Sequence, residues 1–151
     1  MSTTNSKIIH MGNPILRQPS RELQQDEIES PWLNNTIKDM VETMHTEGGI
    51  GLAAPQIGQP VQVVVVEIPD NCTRYVNMKP FKQTIFINPR IEVLDKTVQG
   101  YWEGCLSIPG LRGVVYRPRK IRIDYLQKDG TSCQTVFEDF LATALQHEID
   151  H

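Results

Sequence analysis

The chain closes on Gln146-His147-Glu148-Ile149-Asp150-His151, residue types whose spacing can support hydrolytic chemistry. On a helix, residues four apart lie one above the other, so His147 and His151 can reach a single metal ion. Glu148, beside the first histidine, then stands where it can take a proton from water. The bland alternative is a solvated helix end that merely reads His-Glu-x-x-His. Against it, Phe140, Ala144, His147 and His151 are spaced four, three and four apart, which puts both imidazoles on the helix's apolar stripe. Two imidazoles facing a core need partners, and a shared metal ion satisfies both.

Hydrolytic metal sites usually take three protein ligands and leave one position for water, so a third donor must come from elsewhere. Of Cys72, Cys105 and Cys133, only Cys105 sits in a stretch built for close approach, Glu103-Gly104-Cys105-Leu106-Ser107-Ile108-Pro109-Gly110. Glycine before the thiol lets the backbone come near a ligand, and Pro109-Gly110 is expected to turn the chain. Thiolate is also a good donor to zinc or iron. Cys72 and Cys133 read more simply as small, half-buried apolar residues. A further segment, Gly48 to Gly58, is crowded with residues of little side chain and carries one amide, Gln56. As local structure it is a helix stop leading through a loop into a strand. An amide behind such a run can also donate to an oxygen held close to the backbone.

Gly49-Ile50-Gly51-Leu52-Ala53-Ala54-Pro55-Gln56, Glu103-Gly104-Cys105-Leu106-Ser107 and His147-Glu148-Ile149-Asp150-His151 resemble the three signature motifs of the peptide deformylases, in the same order and at similar separations. The resemblance spans about residues 8 to 151. His-Glu-x-x-His alone is shared with many metalloproteases; the cysteine motif and the glutamine motif upstream of it make the match specific. The resemblance implies a metal-dependent hydrolase that removes the formyl group from the N-terminal formylmethionine of newly made polypeptides and releases formate. It implies Cys105, His147 and His151 as ligands and Glu148 as general base, with the Gln56 side-chain amide and the Leu106 backbone N–H as oxyanion donors. By position in the family, Gly51 and Gly104 offer backbone hydrogen bonds to the peptide, Ile50, Phe140 and Ala144 line the methionine pocket, and Arg112 contacts the peptide. For Ile50, Phe140 and Ala144 ordinary core packing competes with that reading. Arg117 and Asp150 are candidates to pair and orient the metal-bearing helix, although a surface arginine and a helix-end aspartate read equally well. Cys-His-His suits zinc, iron, nickel or cobalt; the resemblance implies Fe2+ in the cell, with Zn2+, Ni2+ or Co2+ in purified protein.

The chain departs from the family at its end, where relatives continue past the second histidine and often carry the C-terminal helix by which some dock on the ribosome. Here the ligand His151 is the last residue, as in a C-terminally short version, a viral one or a trimmed chain. The last turn is then expected to fray, with the terminal carboxylate near the metal, and ribosome contact is left open. Two other functions compete. An HExxH metallopeptidase is weakened by the thiolate ligand and by Gln56; a non-catalytic formyl-peptide-binding module has only the missing tail in its favour.

The elements that must position these residues read as a small α+β single domain, residues 1–151; the family resemblance implies antiparallel or mixed β-sheets around a central helix that carries the metal motif. Ser30 and Pro31 open a helix whose apolar face is Leu33, Ile37, Met40, Val41 and Met44, stopped by Gly48-Gly49. Strands are expected over 61–68, 84–88, 91–98, 120–126 and 134–137, with Lys128-Asp129-Gly130 as a turn. The second helix should open near Glu138 or Asp139, whose carboxylates suit its N-terminus. With 151 residues and 39% hydrophobic content, the chain can build a core without disulfides. Three cysteines, one on a metal, argue for a reducing compartment, the cytoplasm of a bacterium or of a phage-infected one. No apolar run is long enough to span a bilayer, and Met1 to Lys7 carries no export or organelle signal. A net charge of −3 without a basic stripe gives no support to nucleic-acid binding. The expected partner is an N-formylmethionyl peptide, bound by a monomer.

Overall fold

Ser30 opens the first helix as expected: its side-chain oxygen accepts the Leu33 N–H at 3.2 Å, and Pro31 occupies the position where a missing donor costs nothing. Helix α1 runs Pro31–Thr46 and buries Leu33, Ile37, Met40 and Met44. The computed structural model describes residues 7–72 and 78–151; residues 1–6, part of the stretch read for export signals, lie outside these. After α1 come β1 (Gly51–Ala53), a 3-10 turn (Ala54–Ile57), β2 (Val63–Ile68), β3 (Phe81–Cys105), β4 (Ile108–Leu126), β5 (Ser132–Glu138) and α2 (Asp139–Asp150). The strands form one five-stranded antiparallel sheet in the order β1-β2-β3-β4-β5.

The sheet lies between the two helices. Val63 and Val65 of β2 pack with α1, whereas Val64 and Val66 pack with Ala142 and Leu145 of α2. Burial on both faces explains why β2 is an unbroken apolar run and not an alternating one. Every strand touches α2, so the helix carrying the histidines is central, as the family resemblance implied. No described helix is long and apolar enough to cross a membrane.

Two expectations are corrected. The strands expected at 84–88 and 91–98 are one strand, continuing to Cys105. Pro89 does not break it because the ladder shifts between Ile87 and Arg90, with Asn88 at φ 50°. The Asn88 side chain accepts the Leu23 N–H at 2.9 Å and donates to the Leu23 carbonyl at 3.0 Å, which holds the kink. Second, β4 starts at Ile108, so the cysteine motif sits at the tip of a long hairpin whose turn is Leu106-Ser107. Pro109-Gly110 is not that turn. Gly104 pairs with Arg112 and Cys105 with Ile108, so the intervening residues of β4 bulge outward, which suits a proline without an N–H and Gly110 at φ 80°. Helix α2 opens at Asp139 as expected, with Glu138 at its N-cap position, although the Glu138 side chain makes no capping hydrogen bond. It lies 3.8 Å from Arg119, and Asp139 Oδ1 lies 3.3 Å from Arg119 Nε, because the neighbouring strand offers these carboxylates a cation.

Candidate active site

The last residue of β3 meets the last turn of α2. Cys105 offers its Sγ, and His147 and His151 one ring nitrogen each, all within 4.8 Å of one another and all half-buried. Cys105 Sγ lies 3.3 Å from His151 Nε2. The helical spacing stacks the two imidazoles edge to face with centroids 5.2 Å apart. Strand alternation puts Glu103 on the same face of β3 as Cys105. There its Oε1 accepts a hydrogen bond from His147 Nδ1 at 2.7 Å. A carboxylate can only accept, so Nδ1 carries the proton and Nε2 is left for a metal. Arg117 Nε donates to Glu103 Oε2 at 2.7 Å, and its Nη1 donates to Asp150 at 2.6 Å. Of the two readings the sequence leaves open, the Arg117–Asp150 pair is the one present, and Glu103 links it to the histidine. Sequence reading had used Glu103 only as a flank of the cysteine; the two-residue spacing to Cys105 was the signal available.

Charge at the cluster is organised for a cation. Burial pushes the Cys105 thiol up, but hydrogen bonds from His147 and His151 outweigh it and bring the thiol down to about 5. Burial likewise opposes a charged His147, yet its contacts with Cys105, Glu148 and Glu103 raise it to about 9. Burial also opposes ionisation of Glu103, and Arg117 and His147 overcome it to hold the carboxyl below its usual range. A thiolate beside an imidazole that can surrender its proton is a donor set for a borderline divalent metal.

Glu148 is 8% exposed, and its Oε2 has no hydrogen-bond partner among the described residues. Burial lifts its carboxyl to about 7, against the opposing pull of His147 and His151. Gly51 of β1 makes this placement possible, since a Cβ there would lie 2.8 Å from Glu148 Cγ and Oε1. A buried carboxylate with one unsatisfied oxygen beside three converging donors is an arrangement that a cation, with a water next to it, would complete. The residues present therefore fit a metal ion.

Gln56 lies in the 3-10 turn and is 1% exposed. Its Oε1 accepts the Ala53 N–H at 2.9 Å, which fixes the amide and turns Nε2 toward Ser107 Oγ at 3.1 Å and Cys105 Sγ at 3.6 Å. Ser107 is 2% exposed and had not been singled out beyond its place in the motif. The N-terminal segment ties the two motifs together, as Ile9 N–H donates to the Gln56 carbonyl and Met11 N–H to the Ser107 carbonyl, both at 2.8 Å. Leu106, half-buried, lies over Gly49, where a Cβ would come within 2.9 Å of Leu106 Cδ1.

Beside the cluster opens a cleft lined by Ile50, Gly51, Gly104, Phe140 and Ala144 together with Trp102 and Thr143. Phe140 also packs edge-on against Tyr101 at 5.5 Å, so it serves core and cleft at once. Arg112 is exposed and pairs with Gly104 in the ladder without lining the cleft. His151 faces a second groove on the far side, with Pro55, Gln62 and Pro89. Its N–H donates to Glu148 O at 3.3 Å, and Ser20 Oγ donates to its carbonyl at 3.4 Å. Cys133 packs against the core between the sheet and α2, and Cys72 lies near His45 and Glu67, so neither belongs to the three-donor cluster. Trp102 and Thr143 were not anticipated; Thr143 lies one residue before Ala144, three after Phe140, and that helical spacing could have found it.

Residues 5–151 match the polypeptide deformylase family. The chain belongs to that family. It is 43% identical over 145 residues to the peptide deformylase of Leptospira biflexa, covering 96% of this chain and 81% of the relative. The class I type b peptide deformylase of Acinetobacter baumannii, crystallised with Met-Ala-Ser bound, superposes with a TM-score of 0.90 at 32% identity, covering 95% of this chain and 90% of the other. The Synechococcus elongatus peptide deformylase in complex with actinonin gives a TM-score of 0.84 at 32% identity, over 100% of this chain and 75% of that one. The chain's activity is that of the deformylases, removal of the N-formyl group from nascent polypeptides.

Proposed function

We propose that residues 1–151 form one catalytic domain that hydrolyses the formyl amide of N-formylmethionyl peptides, with Cys105, His147 and His151 holding the metal and Glu148 as general base. The observation that carries this reading is the buried Glu148 Oε2, without a partner among the described residues, beside three converging donors. A divalent ion bound there supplies Lewis acidity and lowers the pKa of water toward about 7. Glu148 takes the proton of the attacking water and returns it to the leaving amine, a role that suits a carboxyl raised to about 7. Gln56 Nε2 and the Leu106 N–H donate to the oxyanion, and the amide is already fixed for this by Ala53. Glu103 and Arg117 keep His147 in the tautomer that presents Nε2.

The formylated methionine lies in the cleft with its side chain among Ile50, Phe140 and Ala144 and its backbone against Gly51 and Gly104. Arg112, on the rung opposite Gly104, meets the peptide further along. We assign Fe2+ as the ion in the cell, with Zn2+, Ni2+ or Co2+ as replacements compatible with a thiolate and two imidazoles. Free Cys72, Cys105 and Cys133 suit a reducing bacterial cytoplasm, where the protein acts on nascent chains as a monomer.

The test measures formate from formyl-Met-Ala-Ser with metal-loaded protein, alongside cleavage of unformylated peptide. Formate should appear in step with free amine and cease when the metal is removed. Cleavage of the unformylated peptide would favour a metallopeptidase, and binding without turnover a peptide-binding module.

A further inference from the structure

Strands β3 and β4 run on together past the rest of the sheet. The last rung of β2 on β3 is at Ile87 and the first rung of β5 on β4 is at Lys120, so residues 98–105 and 108–118 form a two-stranded ribbon that no other described strand pairs. One face of the ribbon turns Tyr101, Glu103 and Arg117 to α2, where they meet Phe140, His147 and Asp150. Alternation sends Val98, Gly100 and Trp102, with Val114 and Tyr116 on the rungs opposite, to the other face. There Trp102 is 61% exposed, Tyr116 69%, Val98 56% and Val114 46%. The Tyr116 ring fills the gap over Gly100, where a Cβ would lie 2.8 Å from its Cε1, so the apolar row is continuous from Trp102 to Val98. A contiguous row of exposed apolar side chains marks a surface that another molecule covers. Trp102 also lines the cleft, so this row begins at the cleft's lip and leads away from the metal cluster.

We propose that this ribbon face is a docking surface for the substrate polypeptide beyond its third residue, and that it favours apolar and aromatic side chains there. The proposal rests on the deformylase reading of the cleft. Deformylase substrates are polypeptides, and the cleft houses only the first side chain, so the rest of the chain has to leave across the lip. With the methionine backbone at Gly104, an extended chain advances about 3.4 Å per residue, the same rise as β3. Its third residue then comes level with Trp102, its fifth with Gly100 and the Tyr116 ring, and its seventh with Val98. These contacts are remote from the formyl carbon and the same before and during the reaction, so they act on KM and leave kcat alone.

Three peptides separate side chain from chain length: formyl-Met-Ala-Ser, formyl-Met-Ala-Ser-Ser-Ser-Ser-Ser and formyl-Met-Ala-Ser-Ser-Phe-Ser-Leu. In the metal-loaded wild type the last should exceed the tripeptide in kcat/KM by about 5–20-fold, all of it in KM, and the serine peptide should match the tripeptide within about twofold, because it brings no apolar surface to bury. Tyr116→Ser and Val98→Ser should each reduce that advantage and together abolish it, while the tripeptide, which ends before reaching them, is turned over as before. Tyr116→Phe should keep the advantage. If the serine variants fail to fold, the wild-type comparison of the two long peptides decides. Equal kcat/KM for those two would overturn the proposal, as would variants that slow all three peptides in parallel, the mark of a merely structural role. Concentration-dependent sedimentation that Tyr116→Ser abolishes, with the peptide ratios unmoved, would assign the face to a second copy of the chain and overturn it too. Absence of formate from all three peptides in the wild type would instead overturn the deformylase reading, and this inference with it.

Discussion

Replacing Gly51 with alanine tests the base and its placement in one step. Gly51 is not at a positive φ, so alanine meets no backbone penalty and the only obstacle is space. The new Cβ would lie 2.8 Å from Glu148 Cγ and Oε1 and 3.0 Å from Cδ, short of the 3.4 Å at which ordinary contact begins. The carboxylate must therefore retreat by about 0.6 Å, the difference between those two distances. It is 8% exposed and cannot swing into solvent, so the strain stays in the site. Overpacking of this kind costs about 1–3 kcal/mol of stability, and displacing a general base on the ångström scale lowers kcat by about 10²-fold. Glu148 is not among the three proposed ligands, so metal content should hold. The assay is formate release with elemental analysis and thermal unfolding on the same preparations. Gly113→Ala is the control, because a Cβ there meets nothing within 4 Å. Combining Gly51→Ala with Glu148→Asp removes one methylene and should recover stability without recovering turnover. A Gly51→Ala enzyme with kcat within about twofold of wild type would refute the assignment of Glu148 as a closely positioned base, given the ~10² such a group contributes.

Glu103→Gln should weaken metal binding by about 10–100-fold through loss of the charge that orients His147 and holds Arg117, measured by competition with a chelator; unchanged retention would count against that role. Cys105→Ser should empty the site while Cys72→Ser and Cys133→Ser keep full occupancy by elemental analysis, since a hydroxyl is a far poorer donor than a thiolate. Metal affinity of the stripped protein should rise with pH. Below about 9 His147 is protonated and must release that proton to bind, whereas above about 5 Cys105 is already thiolate. Between those values the proton that His147 must release makes log K rise by at least about one per pH unit, and a flat profile by titration calorimetry would contradict the thiolate–imidazolium pair.

The sequence determined the chemistry that depends on local spacing. His147 and His151 share a helical face because the α-helix repeats every 3.6 residues, and Ser30-Pro31 start α1 because a cap acts within its own first turn. The three motifs identified Cys105 and Gln56 as companions of that helix, although nothing in their spacing said how they would meet it. The tertiary structure decided the contacts that depend on register. Glu103 reaches His147 because β3 runs past Pro89 to the cluster, and Asn88 makes that run possible through its bonds to Leu23, 65 residues away. Gln56 faces Cys105 because the Ala53 N–H anchors its amide, and Gly51 is needed only because Glu148 comes to rest behind it. The open row of Val98, Trp102 and Tyr116 was equally invisible, since which face of a strand stays uncovered is settled by what packs around it. Side-chain periodicity is written in neighbouring residues; the partner that a side chain meets is written in strand pairing and packing, which join residues far apart in the chain.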